Sequence, residues 1–255
     1  MHNIIDAHTH MSDGLFRGPQ DKGFDMGEML SALDAFGVGR VWISPASGLY
    51  ANGEFPAANE ALFRFCREAG GRMEGFFTVN PNYGEKSVEE VHRCVQQYGF
   101  RGLKLHPWLQ SFPVSIPAVG RVVEACIGYG IPILFHDGTP PYASTLQIAN
   151  LAERYPKATI LLGHAGLIET YDNAIAAANR MKNLYLCLCG PSIFHLQKIV
   201  ASVPAEKLLF GTDFGFAPNT AALRYRIKMW DYVELPEQTR EQIYWRTAET
   251  LLPSR

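Results

Sequence analysis

Pro132-Ile133-Leu134-Phe135-His136-Asp137-Gly138 is an unbroken apolar run that ends abruptly in a histidine and an aspartate. A short continuous run of this kind is expected of a parallel strand buried on both faces. Working outward, the same pattern recurs. Seven further runs, at 3–8, 40–45, 74–79, 101–106, 158–164, 183–189 and 207–213, join 131–136 to make eight. Amphipathic segments lie between them. Met26, Met29, Leu30, Leu33 and Phe36 fall at helical spacing, and segments 85–98, 116–129, 143–155 and 169–181 read similarly. Gly37, Gly70, Gly99 and Gly130 stand where helices end, as a left-handed C-terminal residue prefers. Eight strand–helix units predict an α/β fold, a (β/α)8 barrel formed as a single domain over 1–255. The rival, an open doubly wound sheet, lacks its usual signal, since no GxGxxG follows the first strand.

Composition narrows the function classes. The 255 residues are 47% hydrophobic and 19% charged, an ordinary globular balance with material for a large core. A net charge of -2 without a basic block gives nucleic acid no footprint. The N-terminus lacks the pattern of a signal peptide, and no apolar run approaches the ~20 residues of a membrane helix. Cys66, Cys94, Cys126, Cys187 and Cys189 follow no framework spacing, which reads as reduced thiols in a cytoplasm. The expected partner is a small-molecule substrate, with self-association into a homo-oligomer left open.

Chemistry gathers at the strand ends. Asp6, His8 and His10 end the first run, Lys104 and His106 the fourth, His136 the fifth, His164 the sixth and Asp213 the eighth. Strand C-termini form the face on which barrel enzymes build their sites. Alternation places His8 with His10, and Lys104 with His106, on one face. If Leu134, Leu162 and Gly211 line the barrel, His136, His164 and Asp213 point inward too. A lone buried histidine is more often a hydrogen-bonded core residue than a ligand. Several imidazoles and a carboxylate arriving from different strands are a donor set for zinc, iron or manganese. Lys104 can be a structural cation, a binder of substrate anions, or a carboxylated bridge between two ions. Cys187 and Cys189 end the seventh run, where packing explains them best. Arg17, Lys22 and Trp108, in loops after the first and fourth runs, are candidates to contact an anionic or planar substrate.

These residues resemble the amidohydrolase superfamily, in its branch of aminocarboxymuconate semialdehyde decarboxylase and several lactone hydrolases. Ile5-Asp6-Ala7-His8-Thr9-His10 resembles its first-strand HxH, and Pro132-Ile133-Leu134-Phe135-His136 its strand-five ligand. Leu162-Gly163-His164-Ala165-Gly166 resembles its strand-six signature, and Phe210-Gly211-Thr212-Asp213 its strand-eight aspartate. Gly102-Leu103-Lys104-Leu105-His106 also looks like strand four of dihydroorotase-like members, whose lysine is carboxylated between two metals. The tail around Trp245-Arg246-Thr247 resembles the closing helix, with Arg246 where asparagine is common. The resemblance implies that His8, His10, His136 and Asp213 hold one divalent ion, commonly zinc, while Lys104 or His164 would serve a second. It implies that His164 activates or polarises the substrate; the chemistry of a metal-activated water adds Asp213 as proton carrier, and position alone puts His106, Trp108 and Arg17 toward substrate. The expected activity is hydrolysis of a lactone, amide or ester through a metal-activated water. The alternatives are decarboxylation of a small unsaturated acid on the same site and a catalytically silent ligand-binding barrel.

Overall fold

Strand and helix alternate throughout the computed structural model, which describes residues 4–13, 23–217 and 219–254. The strands are β1 (Ile4–Met11), β2 (Val38–Pro45), β3 (Met73–Thr78), β4 (Gly102–Leu105), β5 (Ile133–Phe135), β6 (Ile160–Leu162), β7 (Leu184–Cys187) and β8 (Leu208–Leu209). The helices that follow them in turn are α1 (Met26–Ala35), α2 (Phe55–Glu68), α3 (Glu85–Tyr98), α4 (Pro117–Tyr129), α5 (Thr145–Arg154), α6 (Tyr171–Arg180), α7 (Ile193–Ser202) and α8 (Ala221–Trp230). Every neighbouring strand pair from β1 to β8 is parallel and in sequence order. Ala7 N–H donates to the Phe210 carbonyl at 2.9 Å, and Asp213 N–H to that of His8 at 2.9 Å, closing the ring between the first and last strands. The barrel expected from the sequence is therefore the fold.

Local chemistry explains the boundaries. A capping box of Asp25 and Glu28 starts α1, and one of Ser144 and Gln147 starts α5. Gly99 and Gly130 follow α3 and α4 at φ 69° and 66°, a conformation in which glycine carries no Cβ penalty. Two apolar layers result. Leu103, Leu105, Ile133, Phe135, Ile160 and Leu162 pack outward against the helices. Ile5, Trp42, Phe76, Leu134, Leu161 and Leu209 fill the barrel axis, with Trp42 and Phe76 stacked at 4.6 Å.

Two details of side-chain direction depart from simple alternation. Leu161, not Leu162, lines the barrel, so the inward reading of Leu162 is corrected. On β1 the pairing with β2 slips between Asp6 and Thr9. Three steps along β1 there match two along β2, so one extra residue is accommodated. Such a bulge re-aims the residues beyond it. Ala7 and His8, the two residues inside the slip, can then both face the axis. Among the described residues no helix is long and apolar enough to cross a membrane. All five cysteines are free thiols.

Candidate active site

His8 sits at the centre of the C-terminal mouth because two glycines let it in. A Cβ at Gly163 would fall 3.0 Å from His8 Cε1 and 2.4 Å from the Phe135 carbonyl oxygen. One at Gly211 would fall 3.3 Å from His8 Cβ and 2.3 Å from Cys187 Sγ. The fully buried ring donates from Nδ1 to the Gly163 carbonyl oxygen at 3.0 Å. A carbonyl only accepts, so the proton is on Nδ1 and Nε2 is a lone pair. That lone pair lies 2.7 Å from Lys104 Nζ and 3.5 Å from Asp213 Oδ1.

His10 Nε2 lies 3.1 Å from the same Asp213 oxygen, while its Nδ1 is 3.0 Å from Ser44 Oγ. A hydroxyl both gives and accepts, so Ser44 suits a His10 proton on either nitrogen. Asp213 has φ 64°, left-handed backbone that aspartate tolerates better than most residues. Its side chain is 33% exposed, against 2% for that of His10. Asp6 accepts from His8 N–H at 3.1 Å, Thr212 N–H at 3.0 Å and the Thr212 hydroxyl. It thereby ties the histidine strand to the residue before Asp213.

His136 and His164 form the other side of the mouth. His136 Nδ1 is 2.8 Å from His164 Nε2, and the His136 ring stacks on His106 at 3.7 Å. His164 leaves β6 by a turn rather than by strand alternation. Asp137 accepts its backbone N–H, and that of Gly166 at 2.7 Å, fixing the turn. His106 Nδ1 accepts Leu109 N–H at 3.4 Å, which leaves Nε2 as the ring's N–H donor. Trp108 is 54% exposed, 6.4 Å from His106, and Phe216 lies 5.0 Å from His10. Arg17 and Lys22 lie outside the described residues. Arg246 pairs with Glu241 at 2.7 Å, away from the mouth.

Among the described residues two trios of potential ligand atoms lie within 4.8 Å of one another: His8, His10 and Asp213, and His8, His164 and Cys189. His136 belongs to neither. The first trio fits a divalent ion. With metal–ligand bonds of about 2.0–2.2 Å, ligand atoms stand roughly 3.0–3.5 Å apart, and the two imidazole–carboxylate distances are 3.1 and 3.5 Å. Asp137, Ser44 and Cys189 carry no strong sequence signal of a role. Only the place of Cys189 at the end of the seventh run, from which a thiol could reach the mouth, pointed to one.

Burial dominates the titration of the site. It holds His8, His106 and His136 well below the ordinary imidazole range, His10 below it, and His164 at about 4. Burial also pushes Asp6 up to about 7 and Asp137 up to about 6. Asp213 goes the other way. Burial would raise it, but the His10 hydrogen bond and the fields of His8, His164 and His10 hold it well below the usual carboxylate range.

A pH dependence of stability follows. Between about pH 6.5, the unfolded imidazole value, and pH 4 the unfolded chain takes up protons on five histidines that the folded chain refuses. Stability therefore falls as pH drops through that window. Asp6 and Asp137 act in reverse, since the folded chain holds their protons more tightly, but they are two groups against five. The melting temperature of ion-free protein should decrease from pH 6.5 to pH 4. A flat or rising profile would contradict neutral buried histidines.

Comparison with known proteins gives this geometry a context. 5-Carboxyvanillate decarboxylase LigW from Sphingomonas paucimobilis superposes with TM-score 0.76 at 16% identity, over 98% of this chain and 99% of that one. The 5-carboxyvanillate decarboxylase of Novosphingobium aromaticivorans, solved with manganese and 4-hydroxy-3-methoxy-5-nitrobenzoic acid, gives 0.78 at 15%, over 98% and 96%. 4-Oxalomesaconate hydratase LigJ from Rhodopseudomonas palustris gives 0.71 at 16%, over 98% and 95%. At such identities the likeness is one of fold. No curated protein matches in sequence. The amidohydrolase family model, however, matches residues 5–253, and the chain belongs to the amidohydrolase family.

Proposed function

We propose that this protein is a metal-dependent hydrolase of a small carbonyl compound, a lactone, amide or ester, with the ion held by His8, His10, Asp213 and His136. The observation that carries the reading is Asp213, an ionised carboxylate aimed at the mouth beside two imidazole nitrogens at 3.1 and 3.5 Å. A divalent ion, zinc being our choice, supplies Lewis acidity there and lowers the pKa of water toward neutrality. Asp213 Oδ1 or Oδ2 takes the proton from the attacking water and returns it to the leaving group. His8 is held by Gly163 with Nε2 as its ligating nitrogen. His106 offers Nε2–H to a substrate oxygen, and Trp108 borders the entrance. His164, expected to polarise the substrate, has both ring nitrogens within bonding distance of protein groups, Cys189 and His136. We therefore assign it to holding His136.

The second reading is loss of carbon dioxide from a small unsaturated acid. In its favour stands the fold shared with the two 5-carboxyvanillate decarboxylases. Delivering a proton to carbon asks for a protonated acid, whereas Asp213 is a base at neutral pH. A substrate panel turned over in 18O-water separates the two: hydrolysis puts the label into the acid product, and decarboxylation releases carbon dioxide.

Purified protein should carry about one equivalent of divalent ion, and chelation should abolish turnover, with recovery on adding the ion back. His8→Ala should weaken ion binding at least about 10-fold and cut the rate at least about 100-fold. Full ion content in a His8→Ala, His10→Ala double variant would refute the site.

A further inference from the structure

Cys189 follows β7 beneath the mouth, 1% exposed, and the chemistry above gives it no part. Its sulfur has three oxygen and nitrogen neighbours, the Gly163 carbonyl oxygen at 2.9 Å, His164 Nδ1 at 3.2 Å and His8 Nδ1 at 3.3 Å, with the Cys187 thiol beside it as well. The segment carrying it is pressed onto the β6 turn. A Cβ at the next residue, Gly190, would fall 2.2 Å from the His164 carbonyl oxygen. Arg226 clamps the same segment from α8, donating to the carbonyls of Gly190 at 3.3 Å and Pro191 at 2.6 Å. The sulfur is thus held against both histidines.

Proton placement can be followed from the one group that only accepts. The Gly163 carbonyl takes Nδ1–H from His8. At 2.9 Å it also faces the sulfur, and two acceptors at that distance repel unless the thiol proton lies between them. With its single proton so directed, the sulfur is left as an acceptor, and His164 must supply Nδ1–H. His164 Nε2 is then a lone pair. Since His136 Nδ1 lies 2.8 Å from it, His136 must be the donor of that pair, and its own proton is on Nδ1. The chain ends with a lone pair on His136 Nε2.

We propose that Cys189 is a positioning residue that sets the ring protons of His164 and, through it, His136, so that His136 keeps Nε2 ready for the ion. The inference rests on the ligand set proposed above. Without an acceptor at Cys189, His164 can carry its proton on Nε2 and donate it to His136. The His136 proton then moves to Nε2 and blocks ligation. His8 has its own accept-only partner, so its tautomer does not depend on the sulfur and serves as an internal control.

The test uses ion-free full-length protein with 15N-labelled histidine. Long-range proton–nitrogen NMR reads the tautomers, and calorimetry measures zinc affinity on the same samples. In wild type, His8, His136 and His164 should all carry the proton on Nδ1. In Cys189→Ala, His136 and His164 should shift toward Nε2–H while His8 stays, and zinc should bind about 10- to 100-fold more weakly. Cys189→Ser, whose hydroxyl also donates and accepts, should restore both. Wild-type His136 protonated on Nε2 overturns the proposal, whether or not the alanine variant folds. So does a folded Cys189→Ala variant with an unchanged His136 tautomer and zinc affinity within twofold of wild type. A wild type that takes up no zinc overturns the ion site, and the ion half of this proposal with it, whatever the tautomers.

Discussion

Asp213→Asn is expected to lose about 10^3-fold or more in kcat while staying folded and melting modestly below wild type. General-base catalysis is worth about 10^2- to 10^4-fold, and the amide removes both the base and one charged ligand. Asparagine is the clean substitution because φ is 64° here. Asparagine tolerates that conformation, whereas alanine would add backbone strain of about 1–3 kcal/mol and confuse the result. The backbone bond from Asp213 N–H to the His8 carbonyl does not involve the side chain and is kept. The fold holds this carboxyl well below the usual carboxylate range, so its charge contributes stability at neutral pH and the amide should lower the melting temperature as well as the rate. A merely structural aspartate would show the lower melting temperature with most activity retained. An asparagine variant with more than a tenth of wild-type kcat would sink the role of Asp213 as base.

Much of this arrangement is legible before any coordinates. The β5 run needs no more than its alternation, for Leu134 lines the axis and His136 follows two residues on. Gly99 and Gly130 mark helix ends because only a left-handed turn suits them there. The difficulty begins where strands are apolar on both faces. Ile160-Leu161-Leu162 offers no inward or outward signature, and the reading that put Leu162 inside was one residue out of phase. His164 still arrives at the mouth, by a turn that the Asp137 carboxylate fixes across from β5. Such a bond joins residues 27 apart and leaves no local pattern. The β1 bulge is hidden for the same reason, since it exists only relative to β2. Cys189 looked like packing because sulfur is apolar enough for either place. That His8, His10 and Asp213 approach one another was readable from strand ends and from the family resemblance, while His136 stands outside both trios. How each ring is held was not, because carbonyls, glycines and a thiol do the holding.

Lys104 decides between one ion and two, and Lys104→Met is expected to bind one ion more tightly than wild type while turning over about 100-fold more slowly. The ammonium is fully buried, and its Nζ lies 2.7 Å from the His8 nitrogen that an ion would need. Burial lowers its pKa, opposed chiefly by the field of Asp213. A cation or an amine proton at that nitrogen competes with the ion, so its removal should strengthen binding, by about 10-fold if the competition is worth a single hydrogen bond to a charged group. Methionine keeps the stem's volume and lifts the desolvation cost, so the melting temperature should rise. The rate should fall because the ammonium, displaced from His8 by the ion, is the charge nearest at hand to stabilise an oxyanion, a contribution of about 10^2- to 10^3-fold where one donor is lost. Carboxylation of Lys104 predicts otherwise. Wild type would then hold two ions, Lys104→Ala would hold one, and a short-chain acid filling the space of the lost side chain would restore the second. Ion analysis of the three proteins, with and without propionate, distinguishes these outcomes. Two equivalents in wild type, one in the alanine variant and recovery with propionate would replace the single-ion site with a bridged pair.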